Sequence, residues 1–158
     1  MRQKQLMLAL AESCTGGLIG HRVTNIPGSS EYFVGGVVAY AYDANEEFLG
    51  VRHATLLQHG AVSKATVLEM AQGVRQALAS RYPLEHTVSL AVSGIAGPGG
   101  GMPGKPVGLV WIALSAPDGT WAFRNQFKGS RIEIKDQTAD RALSILWQYL
   151  NGAALQTD

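Results

Sequence analysis

The hydrophobic positions of the chain form short apolar or alternating runs, separated by segments in which they repeat at helical spacing. An alternating run predicts a strand with one buried face, and a short continuous apolar run predicts a strand with both faces buried. Together these runs predict five strands. These strands lie at residues 6–11, 33–42, 86–92, 107–114 and 120–127. Helical spacing appears in three other segments: from Thr15 to a point before Pro27, at 63–82, and from 130 to 150.

The two longer helices carry the clearest local signals. The segment 63–82 places its apolar residues on one stripe and begins at Ser63, a preferred N-cap residue. The stripe comprises Val67, Met70, Ala71, Val74, Ala77 and Leu78. The last helix opens with Ser130 and Glu133 at capping-box spacing. Its buried stripe comprises Ala139, Ala142, Leu143, Leu146 and Leu150.

The order of these elements predicts an α/β fold in one domain, residues 1–158. Strands that alternate with helices favour parallel pairing with helices on both faces of the sheet. The turn Pro117-Asp118-Gly119 predicts an antiparallel hairpin between the last two strands. We therefore expect a mixed sheet of about five or six strands and three or four helices, followed by a polar end at residues 156–158.

Composition narrows the class of partner. The 13 Lys and Arg residues nearly balance the 12 Asp and Glu residues, so no strong field attracts nucleic acid or an anionic membrane. No apolar segment reaches the roughly 18 residues of a membrane span, and the amino end shows no signal segment. One cysteine and four histidines without metal-ligand spacing predict neither disulfides nor a metal site. We expect a cytoplasmic protein that binds a small molecule.

Ser13 is the first candidate for chemistry, in the sequence Ala11-Glu12-Ser13-Cys14-Thr15-Gly16-Gly17. It follows a predicted strand and precedes a helix, where the first helical N–H groups would stabilise an oxyanion. The alternative is that Ser13 or Thr15 only caps the helix. Cys14 is either a rival nucleophile, since a helix amino terminus lowers the pKa of a thiol, or a packing residue. Glu12 is either an acid or base or, as is more usual for a carboxylate next to a helix start, electrostatic support.

The second candidate is the glycine cluster from Gly94 to Gly104. Its uncovered backbone donors would let a phosphate approach closely, although it matches neither a dinucleotide fingerprint nor a Walker loop. A flexible loop without a ligand is the alternative. Lys105 follows it and is either a phosphate partner, a base, or only a solvated charge.

Hydroxyl groups supply the remaining candidates. Gly28-Ser29-Ser30 offers two hydroxyls in a turn, and Tyr40 and Tyr42 would share one face of a regular strand. A phenol there would orient Ser13, while strand tyrosines more often serve packing. The tryptophans are expected in the core or at an interface, which leaves a homo-oligomer open.

Six segments, taken in this order, resemble the CinA carboxy-terminal domain family over nearly the whole chain. They are the Ser13 motif, Pro27-Gly28-Ser29-Ser30, Gly35-Gly36-Val37-Val38-Ala39-Tyr40, His59-Gly60-Ala61-Val62-Ser63, Ser93-Gly94-Ile95-Ala96-Gly97-Pro98 and Lys105-Pro106-Val107-Gly108. The resemblance implies a three-layer α/β/α sandwich without metal or cofactor. It also implies an amidohydrolase that converts nicotinamide mononucleotide and water to nicotinate mononucleotide and ammonia.

The resemblance also assigns roles to residues. Ser13 is the implied nucleophile and Tyr40 or Tyr42 the auxiliary phenol, and the pyridine nucleotide is the expected small-molecule partner. The expected substrate contacts are further residues of these motifs: Glu12, Thr15, Gly16, Gly28, Ser29, Ser30, Gly94, Ala96 and Gly97.

The chain departs from the family pattern at the expected catalytic lysine. The family reads Tyr-x-x-(Glu/Asp)-Ala-Lys, and this chain places Asn45 at the lysine position. An amide cannot accept the proton, and loss of a general base lowers the rate by about 10²- to 10⁴-fold. A second departure is the short amino end, since the family usually has a helix before the first strand. It is expected to alter one sheet face or a subunit contact.

Three hypotheses therefore remain open. In the first, the protein is an amidohydrolase in which Lys105 replaces the missing lysine. In the second, it binds a nucleotide or regulates a partner without turnover. In the third, it is a serine amidase that acts on another small carboxamide.

Overall fold

A computed structural model describes residues 1–77, 79, 81–155 and 157. Its sheet has five strands in the order β2-β1-β3-β4-β5, of which β1 pairs in parallel with both β2 and β3. The pairs β3–β4 and β4–β5 are antiparallel. The strands are β1 Met7–Glu12, β2 Phe33–Val38, β3 Thr87–Gly94, β4 Leu109–Ala116 and β5 Gly119–Gln126.

Five α-helices connect and cover these strands in the described residues. They are α1 Leu18–Thr24, α2 Tyr42–Leu49, α3 His53–His59, α4 Lys64–Ala77 and α5 Arg131–Leu150. Short 3₁₀ turns lie at Arg2–Lys4, Ser29–Glu31 and Leu84–His86. No helix in the described part of the chain is long and apolar enough to cross a membrane.

The two faces of the sheet bury side chains of different size. One face carries large aliphatic residues, including Leu10 and Ile112, which pack in one core cluster with residues of α1 and α5. The other face carries alanines, including Ala11 and Ala91, in the cluster to which α2 and α4 contribute. Small residues let the second helical layer approach closely. At Gly73, an added Cβ would lie 1.7 Å from the Leu49 carbonyl oxygen.

The α/β/α class predicted from the pattern is confirmed, with a mixed sheet of five strands. The hairpin at residues 117–119 is present, and Ser130 and Glu133 form the predicted capping box. The hydroxyl of Ser63 accepts a hydrogen bond from the N–H of Thr66, as expected of an N-cap. These features depend on local sequence, which explains why they could be predicted.

Three predicted details are wrong. The strand predicted at 33–42 ends at Val38, so Tyr40 and Tyr42 do not share a strand face, and Tyr42 instead opens α2. Helices α2 and α3 were not predicted, because they have only eight and seven residues and a polar Asn45 occupies a buried position of α2. The helix predicted to reach residue 82 ends at Ala77. Leu78 of its stripe, and Gln156 and Asp158 of the polar end, lie outside the described residues.

Candidate active site

A cavity of about 380 Å³ lies at the carboxyl ends of β1 and β3. Strand β1 lies between β2 and β3 and is parallel to both, so the chain reverses its direction of winding at this point of the sheet. Such switch points are the usual ligand sites of open α/β sheets. Ser13, Tyr40, Ser93, Lys105 and Arg131 all contribute to its lining.

A larger hollow of about 620 Å³ lies elsewhere, between α1, α5 and the first residues of the chain. Its walls are mainly apolar and include Val23, Leu146 and Trp147. None of the candidate catalytic residues lines it. The chemistry predicted from the sequence therefore belongs to the smaller cavity.

Ser13 enters the cavity directly from the end of β1. Its N–H donates to the Val92 carbonyl at 3.1 Å, which continues the pairing of β1 with β3 by one residue. Its carbonyl accepts from the Gly16 N–H at 3.0 Å and closes a tight turn before α1. The side chain is half-buried and lines the cavity. The backbone of Ser13 is therefore held on both sides at the edge of the cavity that the residue lines.

Glu12 does not line the cavity, in contrast to its predicted role as a substrate contact. Its buried carboxylate accepts from the N–H groups of Gly17, Ile19 and Gly20 at 2.8 to 3.1 Å. These donors belong to the start of α1, where helical N–H groups lack partners within the helix. Contrary to the expectation, these three N–H groups are not available to an oxyanion at Ser13, because the Glu12 carboxylate already accepts from them.

Thr15 and Gly16 also lie outside the cavity lining. The fully buried Thr15 donates its hydroxyl to the Glu12 carboxylate at 2.7 Å. Gly16 has a φ of +63°, and an added Cβ there would lie 3.9 Å from the Lys135 ammonium. Both residues shape the turn that carries Ser13, and neither is positioned to contact a ligand in the cavity.

Cys14 lines the cavity but is almost completely buried, and burial raises the pKa of its thiol to about 12. The thiol therefore stays protonated near neutral pH, which argues against Cys14 as the nucleophile. We expect iodoacetamide to alkylate it at least about tenfold more slowly in the folded protein than in urea. Mass spectrometry measures both rates at pH 7.5, and equal rates would contradict the assignment.

The glycine loop, residues 94–101, forms one wall of the cavity. It is fixed at its base, where Ile95 donates to the Leu109 carbonyl at 2.9 Å and Gly108 donates to the Ile95 carbonyl at 2.7 Å. Gly94, Ala96 and Gly97 line the cavity, as do Gly99 and Gly100. Among the described residues, no acceptor is found for the N–H groups of Ala96, Gly97, Gly99 and Gly100. The loop can therefore offer backbone donors to an anion, as its sequence predicted.

Lys105 approaches the cavity from the turn that follows this loop. Met102 and Lys105 exchange two backbone hydrogen bonds, and the Lys105 ammonium donates to the His59 carbonyl at 2.5 Å. Tyr42 lies on the same wall, where its hydroxyl accepts from the N–H of Ala61 at 3.4 Å. Lys105 therefore brings a basic side chain to the α3 side of the cavity.

Arg131 lies in the first turn of α5 and lines the same cavity as Lys105. It donates through Nη2 to the Tyr40 hydroxyl and through Nη1 to the Gly97 carbonyl, both at 2.6 Å. The sequence reasoning missed Arg131. One signal could have found it, because a cation in the first turn of a helix is disfavoured by the macrodipole and suggests a compensating contact.

Asn45, for which the resemblance implied a lysine position, is buried in α2 and does not line the cavity. Its Nδ2 donates to the Ala41 carbonyl at 2.8 Å. Its Oδ1 has no hydrogen-bond partner among the described residues. The side chain is thus held within α2, away from the cavity lining, and leaves a buried acceptor unpaired among the described residues.

Gly28, Ser29 and Ser30 lie at the opposite end of the sheet from Ser13. They precede β2, which runs parallel to β1, so they lie near the amino end of β1, whereas Ser13 follows its carboxyl end. Arg2 donates to the Gly28 carbonyl at 2.8 Å. The prediction that these residues meet the substrate in the Ser13 cavity is therefore wrong within one chain.

The cavity has a positive lining. Of its lining residues in the described part of the chain, Lys105 and Arg131 are cationic and none is a carboxylate or histidine. No cluster of three His, Cys, Asp or Glu side chains that could hold a metal is found among the residues that the structure describes. The charge of this lining is complementary to an anionic ligand.

Fold and site together define an α/β domain with a ligand cavity at the carboxyl edge of its parallel strands. The family model of the CinA C-terminal domain matches residues 1–150. The chain belongs to this family.

Relatives and solved structures agree with this assignment. The chain is 48% identical over 147 residues to a putative competence-damage inducible protein from Moorella thermoacetica, covering 93% of this chain and 34% of the relative. A CinA-like protein from Salinibacter ruber is 47% identical over 143 residues, which are 90% of this chain and 33% of that protein. The chain thus spans about a third of the length of these relatives.

Two crystal structures have the same fold. The competence/damage inducible protein CihA from Agrobacterium tumefaciens has a TM-score of 0.82 at 43% identity, covering 90% of this chain and 84% of that one. A CinA superfamily protein from Klebsiella pneumoniae has a TM-score of 0.87 at 33% identity, covering 95% of this chain and 90% of that one.

Proposed function

We propose that the protein is a serine amidohydrolase that converts nicotinamide mononucleotide and water to nicotinate mononucleotide and ammonia. The observation that carries the proposal is the position of Ser13, within the family motif, in a cavity lined by two cations and no carboxylate. A nucleophile at the end of β1 and a positively charged cavity lining suit a substrate that carries a carboxamide and a phosphate.

The proposed reaction has two steps. The Ser13 hydroxyl oxygen attacks the carboxamide carbon, ammonia leaves, and a nicotinoyl ester remains on Ser13. Water then cleaves the ester and restores the hydroxyl. The N–H groups of the glycine loop support this proposal, because such donors stabilise negative charge on the tetrahedral intermediate and on the substrate phosphate.

Lys105 is the proposed base. Arginine cannot be deprotonated in proteins, and the described lining residues include no histidine or carboxylate, which leaves Lys105 as the basic side chain of Ser13's cavity. As the base, Lys105 acts in its neutral amine form, and Arg131 then supplies the positive charge of the lining. The Lys105 ammonium also has only one described acceptor, the His59 carbonyl. In this role it replaces the lysine that the family carries at position 45.

The test is ammonia release from nicotinamide mononucleotide, with nicotinamide riboside and other small carboxamides as comparisons. We expect kcat/KM for the mononucleotide to exceed that for the riboside at least about tenfold, because the riboside lacks the phosphate. Ammonia production no faster than in buffer would contradict the proposal. Preference for an uncharged carboxamide would instead favour an amidase of different specificity.

Asn45 favours one second candidate, a homologue that binds a pyridine nucleotide without turning it over. The buried amide leaves the cavity without the family's base, while the loop donors and both cations remain. Calorimetry with nicotinate mononucleotide separates binding from turnover. This candidate requires binding without ammonia release, and it fails if no pyridine nucleotide binds.

Restoring the lysine gives a direct comparison. We expect Asn45→Lys to raise kcat by about 10²-fold, because a general base contributes this much and the longer side chain can extend from α2 towards the cavity. The substitution removes a single hydrogen bond, the one to the Ala41 carbonyl. Asn45→Met is the matched control, with similar length and no base. Equal kcat values for the two variants would contradict the prediction.

A further inference from the structure

We propose that Arg131 is a positioning residue that holds Tyr40 as a hydrogen-bond donor directed into the cavity. The proposal rests on the proposed function, because it assigns the donor to that reaction. It concerns a contact between residues 91 positions apart in the chain. Both side chains line the cavity that contains Ser13.

The phenol proton of Tyr40 is not used in the contact with Arg131. A tyrosine hydroxyl has one proton to donate and accepts through its oxygen, whereas a guanidinium only donates. The 2.6 Å contact between Arg131 Nη2 and the Tyr40 hydroxyl therefore has Tyr40 as its acceptor. The phenol proton remains free for another partner, and the described residues offer it no acceptor.

The second contact of Arg131 fixes the direction of the first. Nη1 donates to the Gly97 carbonyl at 2.6 Å, so the planar guanidinium joins the glycine loop to the segment between β2 and α2. A rigid fork that is held at both ends orients its acceptors more tightly than a lysine could. The Tyr40 ring is largely exposed and its own packing does not fix it. The hydrogen bond from Arg131 thus fixes the position of the Tyr40 hydroxyl.

The position of Arg131 in α5 argues against a purely structural role. It is the first residue of the helix, where a positive charge opposes the macrodipole, and the cap itself is already completed by Ser130 and Glu133. Neither helix formation nor capping requires an arginine there. Its side chain instead contacts Gly97 and Tyr40, which both line the cavity.

The proposal predicts a specific kinetic pattern. If Tyr40 donates to the substrate oxygen on which charge develops, Tyr40→Phe and Arg131→Met should each lower kcat at least about tenfold and change KM by less than about threefold. The double variant should be no more than about threefold slower than the slower single variant, because both substitutions remove one interaction. Arg131→Lys should recover only part of kcat, since one ammonium cannot bridge both acceptors.

Two kinetic results would overturn the proposal. Multiplication of the two single effects in the double variant would show that Arg131 acts independently of Tyr40. A rise in KM at unchanged kcat for Arg131→Met would show that Arg131 binds the ground state of the substrate directly. Arg22→Met is the matched control, because Arg22 pairs with Asp140 outside the cavity and should leave both constants unchanged.

A spectroscopic test does not depend on turnover. In protein with ¹³Cζ-labelled tyrosine, Tyr40→Phe identifies the Tyr40 resonance, which should shift in Arg131→Met and stay in place in Arg22→Met. An unshifted resonance would overturn the proposed contact. If the resonance shifts but nicotinamide mononucleotide is not hydrolysed, the proposed function fails separately. Calorimetry then measures the affinity of Tyr40→Phe, Arg131→Met and the double variant for nicotinate mononucleotide. Equal losses of affinity in all three would support Tyr40 as the donor held by Arg131. Losses that multiply in the double variant would contradict it.

Discussion

Replacing Glu12 with alanine is expected to lower the free energy of unfolding by about 3 to 5 kcal/mol. The Glu12 carboxylate accepts four hydrogen bonds, one from the Thr15 hydroxyl and three from N–H groups at the start of α1. The carboxylate is buried, so its loss leaves these donors with neither a protein acceptor nor full access to water. Gly17, the N-cap residue of α1, has no side chain that could replace it.

Glu12→Gln keeps the shape and tests the charge. One orientation of the amide preserves the oxygen that accepts from Thr15, Gly17 and Ile19, but it turns the NH₂ group towards the Gly20 N–H. We therefore expect a smaller loss, about 1 to 3 kcal/mol. Glu31→Ala is the matched control, because Glu31 forms an exposed ion pair with Arg2, and it should cost under about 1 kcal/mol.

Urea unfolding followed by circular dichroism measures these three variants under the same conditions. A loss below about 1 kcal/mol for Glu12→Ala would show that water replaces the carboxylate at the start of α1. If Glu12→Ala does not fold, the order of Glu12→Gln and Glu31→Ala still decides the question. If Glu12→Gln loses more free energy of unfolding than Glu31→Ala, the turn that carries Ser13 contributes to the stability of the domain.

The sequence predicted those parts of the fold that depend on neighbouring residues. Ser130 and Glu133 lie three positions apart, and the buried stripe of α5 repeats within one helix, so both are visible in the chain itself. Helix α2 was missed because Asn45 places a polar group at the position where the pattern would require an apolar one. A short burial pattern that a polar residue interrupts cannot be read as a helix from hydrophobicity alone.

The site was predicted less completely, because its contacts join distant segments. The motif indicated Ser13 and the glycine loop, and the cavity contains both. The bond between Arg131 and Tyr40 has no local signature, since it joins the first residue of α5 to the segment after β2, 91 positions away in the chain. The error at Glu12 has the same origin. The sequence shows which donors a helix start offers, but the acceptor that takes them is fixed by the three-dimensional arrangement.

Ser13→Ala is expected to reduce kcat/KM for nicotinamide mononucleotide by at least about 10³-fold, because the proposed covalent step needs the hydroxyl. Binding of nicotinate mononucleotide should change by less than about threefold, since alanine removes one oxygen and leaves the cations and the loop in place. Coupled measurement of ammonia release and calorimetry of the product checks both expectations. Loss of binding together with activity would indicate a damaged cavity rather than a missing nucleophile.

Cys14→Ala is the matched variant for this experiment, since the two residues are adjacent and both line the cavity. Burial raises the pKa of the Cys14 thiol to about 12, so the protonated group should contribute nothing to the reaction. We expect Cys14→Ala to stay within about threefold of the unmodified protein in kcat/KM, provided that circular dichroism shows it to be folded. The opposite pattern, activity in Ser13→Ala and none in folded Cys14→Ala, would move the nucleophile to the thiol. Full activity in both variants would exclude a covalent intermediate on this turn and require water as the attacking group.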